Sequence, residues 1–195
     1  MKIYLAGPEV FHKDAIAIGK AKRALCEEYG FEGLFPIDPD KEATVPVGMR
    51  RSRFIFFQNV NLIKESDICI ANISPFKSID CDVGTAWEIA YAFALRKPTF
   101  GYSNDPRRIA DRDRSFSELG LHSASKLAKM FPMDETGPEE FDLISNLMLI
   151  ESIETAGGKV FTADLADFTD LAAFEACLAD LAATHATINQ RGSAA

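Results

Sequence analysis

Histidine and cysteine are scarce, with three and four copies in 195 residues. His12, His122 and His185 are widely scattered, and Cys26, Cys69, Cys81 and Cys177 form neither a CxxC pair nor a dense disulfide spacing. A zinc site needs about four close nitrogen or sulfur ligands, so no metal is expected and the thiols are expected to stay reduced. Long apolar runs are also missing. No stretch approaches the ~20 residues of a membrane span, and Met1-Lys2 leads into only Ile3-Tyr4-Leu5-Ala6 before Gly7-Pro8, too short for a secretory segment. The expected compartment is the cytoplasm, without membrane contact. Bases are outnumbered, 21 Lys and Arg against 29 Asp and Glu, and the net charge of -8 opposes binding to a nucleic-acid polymer. Neither GxGxxG nor GxxxxGK[ST] occurs, which removes the usual support for a dinucleotide oxidoreductase or a P-loop ATPase.

What is present suits a globular chain. Hydrophobic residues make up 47%, and a chain of this length buries roughly 70% of its unfolded surface on folding. One domain over residues 1–188 is expected, with 189–195 as a flexible C-terminal tail. Ile3 to Ala6 reads as a buried first strand closed by Gly7-Pro8. Asp14 to Glu28 reads as a helix whose apolar pattern is Ile16, Ile18, Ala21, Leu25 and Cys26. Gly33 to Pro36 gives a second strand, and 51–65 a helix carrying Phe54, Phe57, Asn61 and Leu62. Ile68 to Ala71 follows as a strand, then a helix from Gly84-Thr85 that Lys97-Pro98 stops, then a strand at 99–102. The stretch 103–138 is too long for an ordinary connection and is expected to be a lid or an interface excursion. A helix over 139–154, a strand at 159–161 and a last helix capped by Thr169 complete an alternation that predicts α/β packing in three layers, with a mainly parallel five-stranded sheet.

The sharpest local feature is Asp80-Cys81-Asp82-Val83-Gly84-Thr85-Ala86-Trp87-Glu88. A helix starting at Gly84 or Thr85 puts Asp82 just before it and Glu88 in its first or second turn, near the carboxyl edge of the preceding strand, where open parallel sheets bind ligands. An ionised Glu88 can attack an electrophilic sugar carbon, and Asp82 can hold a hydroxyl or share a proton with a leaving nitrogen. The small residues there permit close approach. The same pattern also fits a plain account: Asp82 or Thr85 caps a helix, Gly84 relieves crowding and Glu88 is a solvated helix residue.

Further stretches bear on that choice. Tyr4-Leu5-Ala6-Gly7-Pro8-Glu9-Val10-Phe11, Asn59 through Asp67, Ala71-Asn72-Ile73-Ser74-Pro75-Phe76, Asp82 through Ala92 and Asn146-Leu147-Met148-Leu149 together resemble the nucleoside 2-deoxyribosyltransferases, in order and over about three-quarters of the chain. The resemblance implies a flavodoxin-like fold and an enzyme that moves 2-deoxyribose between nucleobases through a covalent glycosyl-enzyme with retention of configuration. No cofactor is implied, and the partners would be 2'-deoxynucleosides and free nucleobases. It makes Glu88 the nucleophile at C1', Tyr4 the hydroxyl that positions it, and Asp82 the contact at the 5'-hydroxyl end with a part in proton traffic near the base. Gly7 and Gly84 would give the sugar pocket clearance and Phe11 an apolar wall. Asn59 stands where some bacterial relatives carry an acid that contacts the base, and a neutral amide cannot act as that acid. Asn146 and Met148 match a segment that in relatives reaches the neighbouring subunit's pocket, so a homo-oligomer with shared sites is expected.

Two other functions fit the same residues. An N-glycoside hydrolase acting on deoxynucleosides or their 5'-monophosphates would admit water in the second step, and for a phosphate it would draw on Ser74 or Ser78. A nonenzymatic nucleoside-binding protein would keep the fold without the adduct. The arginines at 107, 108, 112 and 114 alternate with acids and are expected to close or support the pocket.

Overall fold

A computed structural model of the chain describes residues 1–37, 45–119 and 139–192, with side chains described up to residue 184. Strict alternation along the central strands sends side chains to two different cores. In β1 (Lys2–Ala6), Ile3 and Leu5 face one cluster while Tyr4 and Ala6 face the other. β3 (Ile68–Asn72) repeats the pattern, with Ile68 and Ile70 on the first face and Cys69 and Ala71 on the second. Every residue of β3 and of β4 (Thr99–Ser103) is buried, and β3 accordingly reads as a nearly continuous apolar run, as a strand covered on two faces does. β2 (Glu32–Leu34) and β5 (Val160–Thr162) are short edge strands.

The five strands are all parallel in the order β2-β1-β3-β4-β5. That is the flavodoxin-like order, and it reverses direction between β1 and β3. α1 (Ala15–Glu28) and α6 (Ala172–Gly192) cover the face of Ile3 and Leu5. The opposite face, holding Tyr4 and Ala6, takes α2 (Arg51–Glu65), α3 (Val83–Ala94) and α5 (Leu147–Thr155). Three layers result. Buried aliphatic side chains such as Leu5, Ile63, Ile70 and Ile89 each contribute about 1.5–3 kcal/mol through area removed from water. None of the four cysteines is paired, and no helix among the described residues is long and apolar enough to cross a membrane.

Three expectations shift. The stripe of α1 that packs inward is Ala15, Ile18, Gly19, Lys22 and Cys26, and Ile16 is exposed. A lysine therefore occupies a core position, which the apolar pattern hid. The helix expected from Glu139 starts at Leu147, because Asn146 caps it by accepting Met148 N–H at 3.0 Å, and Phe141 is exposed in the preceding loop. Thr169 does not cap the last helix: its hydroxyl donates to Asp167, and Asp170 accepts Ala172 N–H at 2.9 Å. Within 103–138 the structure has α4 (Ile109–Glu118), and the rest of the expected lid, 120–138, lies outside the described residues. Residues 189–192 continue α6.

Candidate active site

The loop from Ile73 returns the chain to the carboxyl edge of β3, where Asp82 starts α3 as its N-cap. Asp82 Oδ2 accepts the Thr85 N–H at 3.0 Å and faces the Thr85 hydroxyl at 3.4 Å. This satisfies one of the free amides of the first turn, worth about 1 kcal/mol. Gly84 lies against that carboxylate, and a Cβ there would come within 2.8 Å of Asp82 Oδ2. The helix start and the glycine are thus one local solution.

Glu88 follows on the inner side of α3, only 9% exposed. The alternation of β1 turns Tyr4 toward it, and the Tyr4 hydroxyl donates to Glu88 Oε1 at 2.6 Å. Asn59 of α2 donates its amide to the same oxygen at 3.3 Å. Burial pushes the Glu88 carboxyl up to about 7, against the two donated hydrogen bonds, with the Asp82 charge adding to the rise. Burial, together with the adjacent Glu88, holds the Tyr4 hydroxyl far above its ordinary range, so it stays a donor. No cation pairs with Glu88 among the partners given by these contacts. The result is a carboxylate poised to change charge near neutral pH, with hydrogen bonds that favour its anion.

Glu88 opens on a cleft of about 1020 Å³ at the edge where the strand order reverses. Gly7, Phe11, Asn59, Asp82 and Gly84 line the same cleft. Phe11 is 63% exposed and stacks on Phe76 with ring centroids 5.2 Å apart, so it is a mouth residue and not core. The Asn59 amide is directed at Glu88 and helps to hold that carboxylate. Asn146 and Met148 do not line the cleft of their own chain: Asn146 caps α5 and donates to Glu139 at 2.6 Å, and Met148 is 67% exposed. Nor do the arginines at 107, 108, 112 and 114. Arg107 pairs with Asp105 at 2.6 Å, Arg114 with Asp111 at 2.6 Å and Arg108 with Asp142, while Arg112 is buried and donates to the Ile144 carbonyl.

Sequence reasoning missed the cleft wall on α2, where Arg51, Phe54, Gln58, Leu62 and Glu65 form one stripe at helical spacing. Their mixed polarity was the available signal, since a core stripe would be uniformly apolar. Thr85 was noted only as a cap, yet it too lines the cleft. Ser74 is buried and committed to Asn72 and the Asn104 N–H.

A doubly wound parallel sheet, a ligand-sized cleft at its switch point and a buried, hydrogen-bonded carboxylate define an α/β protein equipped for carboxylate chemistry on a small molecule. A profile of the nucleoside 2-deoxyribosyltransferases matches residues 3–148. The chain belongs to the nucleoside 2-deoxyribosyltransferase family. Among solved structures it is similar to the 2-desoxiribosyltransferase from Leishmania mexicana, at 32% identity and a TM-score of 0.60, covering 94% of this chain and 98% of that one. It is also 29% identical over 191 residues to an uncharacterized protein of Schizosaccharomyces pombe, covering 93% of this chain and 88% of the relative. A third relative, from Thermofilum pendens, carries the name 2'-deoxynucleoside 5'-phosphate N-hydrolase and is 33% identical over 98 residues, half of this chain and 64% of the relative.

Proposed function

We propose that the protein exchanges the bases of 2'-deoxynucleosides, passing 2-deoxyribose to a free nucleobase through a covalent intermediate on Glu88. The observation that carries this is the buried Glu88 carboxylate, held by Tyr4 at 2.6 Å and facing the cleft. As the C1'–N bond lengthens, positive charge grows on the sugar. A Glu88 oxygen supplies the electron pair for the new C1'–O bond, and the base departs with the pair of the broken C1'–N bond. Burial disfavours the free carboxylate, and forming the neutral ester relieves that cost. Tyr4 and Asn59 orient the attacking oxygen and stabilise it again when the ester breaks. Asp82 holds the 5'-hydroxyl end of the sugar and takes part in proton movement at the base. An incoming base then attacks C1' from the opposite face, and two inversions give net retention.

Gly7 and Gly84 give the sugar backbone clearance, and Phe11 walls the mouth. Transfer prevails over hydrolysis where water is kept from the ester. Asn146 and Met148 lie away from their own cleft, which supports a homo-oligomer in which each chain lends them to its neighbour's site. The 5'-monophosphate hydrolase alternative has less support, because Ser74 is already committed within the chain.

The test incubates the protein with a 2'-deoxynucleoside and a second free base. New nucleoside of retained configuration, dependent on the added base, and a deoxyribosyl adduct mapped by mass spectrometry to Glu88 are expected. Release of free deoxyribose whether or not a base is added would refute transfer.

A further inference from the structure

A second glutamate sits at the same sheet edge, on the opposite face. Glu9, in the short helical turn Pro8–Phe11, is fully buried, and its Oε1 accepts from Lys22 at 3.0 Å, Asn72 at 3.0 Å and Tyr102 at 2.6 Å. Lys22, also fully buried, lies 4.9 Å from the Phe174 ring, 5.3 Å from Tyr102 and 5.9 Å from Phe35. The Lys22 ammonium holds the Glu9 carboxyl below the usual carboxylate range in spite of its burial. Among the described residues, Glu9 Oε2 has no hydrogen-bond partner. It points at Gly7: a Cβ on Gly7 would lie 2.0 Å from Oε2, so only a glycine Cα–H fits against it. Gly7 is also one of the residues that line the cleft.

We propose that Glu9 is a positioning residue for the substrate: clamped by Lys22, Asn72 and Tyr102, its carboxylate fixes the backbone at Gly7 that forms the cleft floor. The inference rests on the cleft at Glu88 being the deoxynucleoside site. Glu9 does not touch substrate. It ties the turn after β1 to α1 through Lys22, to the end of β3 through Asn72 and to β4 through Tyr102, so the floor is braced by three elements at once. A floor residue that contributes equally to ground-state and transition-state binding affects KM more than kcat.

The experiment compares wild type, Glu9→Gln, Glu9→Gln/Lys22→Met and Tyr102→Phe, all checked for folding by thermal unfolding. Glu9→Gln is expected to raise the KM for the donor nucleoside about tenfold with kcat within about threefold, since displacement of bound substrate by a fraction of an ångström suffices. The double variant no longer buries an unpaired ammonium, so its melting temperature is expected to recover while its KM stays raised, because the carboxylate brace is still missing. Tyr102→Phe keeps the ion pair, removes one brace and is expected to raise KM about threefold. It keeps the test open should Glu9→Gln fail to fold. Folded variants with lowered melting temperature and unchanged KM would overturn the proposal. Loss of turnover in Glu88→Ala tests the functional reading separately. If wild type transfers no sugar, calorimetric titration with a deoxynucleoside still decides: about tenfold weaker binding by Glu9→Gln supports the floor, and equal binding overturns it.

Discussion

Glu88 and Glu9 sit at the same edge of one sheet, on opposite faces, in nearly matching settings. Each carboxylate takes a tyrosine hydroxyl at 2.6 Å, Tyr4 for Glu88 and Tyr102 for Glu9, and each takes an asparagine amide, Asn59 at 3.3 Å and Asn72 at 3.0 Å. What differs is a cation. Lys22 lies 3.0 Å from Glu9, whereas the charges that act on Glu88 are the carboxylates of Asp82 and Glu9, both raising it. The Glu9 carboxyl is accordingly driven down and that of Glu88 up to about 7. One ammonium separates a permanently charged brace from a carboxylate whose charge can be spent in a reaction.

The largest effect expected is chemical. Glu88→Ala should lower kcat by about 10³-fold or more and abolish the sugar adduct, as measured by product chromatography and intact-protein mass spectrometry. The reverse test acts on the other carboxylate. Lys22→Met leaves Glu9 buried without a counter-charge, and the unfolding free energy in denaturant at pH 7 should fall by about 3–5 kcal/mol. Adding Glu9→Gln to that variant should restore most of the loss. If Lys22→Met were neutral on its own, the contrast between the two sites would collapse.

The pH signatures should also oppose one another. Glu88 has a raised carboxyl, so the folded chain holds that proton longer than the unfolded chain does. Its stabilising contribution is present below pH 4.5 and is lost as pH rises through about 7, a change of about 3 kcal/mol. Glu88→Gln should therefore be more stable than wild type at pH 8, and the gain should vanish near pH 4 in parallel unfolding titrations. Glu9, with its lowered carboxyl, contributes stability above pH 4.5 that is lost as pH falls through its folded value. The smallest effect concerns Tyr4. Tyr4→Phe removes a hydrogen bond that favours the Glu88 anion, so kcat/KM should drop about tenfold and the acid limb of its pH profile, centred near 7 in wild type, should move to higher pH.

The strand and helix alternation was legible because β1 and β3 carry short apolar runs bounded by Gly, Pro or polar residues and the helices between strands carry apolar residues at helical spacing. Asp82 and Glu88 were legible as candidates because they lie in a short motif at a helix start, whereas Tyr4 was legible only through the resemblance to the family, since a tyrosine on a buried strand otherwise reads as core. The Glu9 and Lys22 pair was not, since two charged residues 13 positions apart read as solvated surface until the fold buries both. The start of α5 was misplaced for a related reason. The apolar spacing of Phe141 and Ile144 fits a helix, while Asp80, which accepts from the Ser145 hydroxyl and the Asn146 N–H and so fixes the loop before the cap, is distant along the chain.

The sequence by itself determined that this is an α/β chain with a carboxylate motif at the head of its third helix, because periodicity and capping act over a few residues. Only the tertiary structure decided which glutamate remains a fixed charge and which can titrate. That distinction depends on whether a lysine distant along the chain is packed against the carboxylate, and burial magnifies its effect by removing the water that would otherwise screen it.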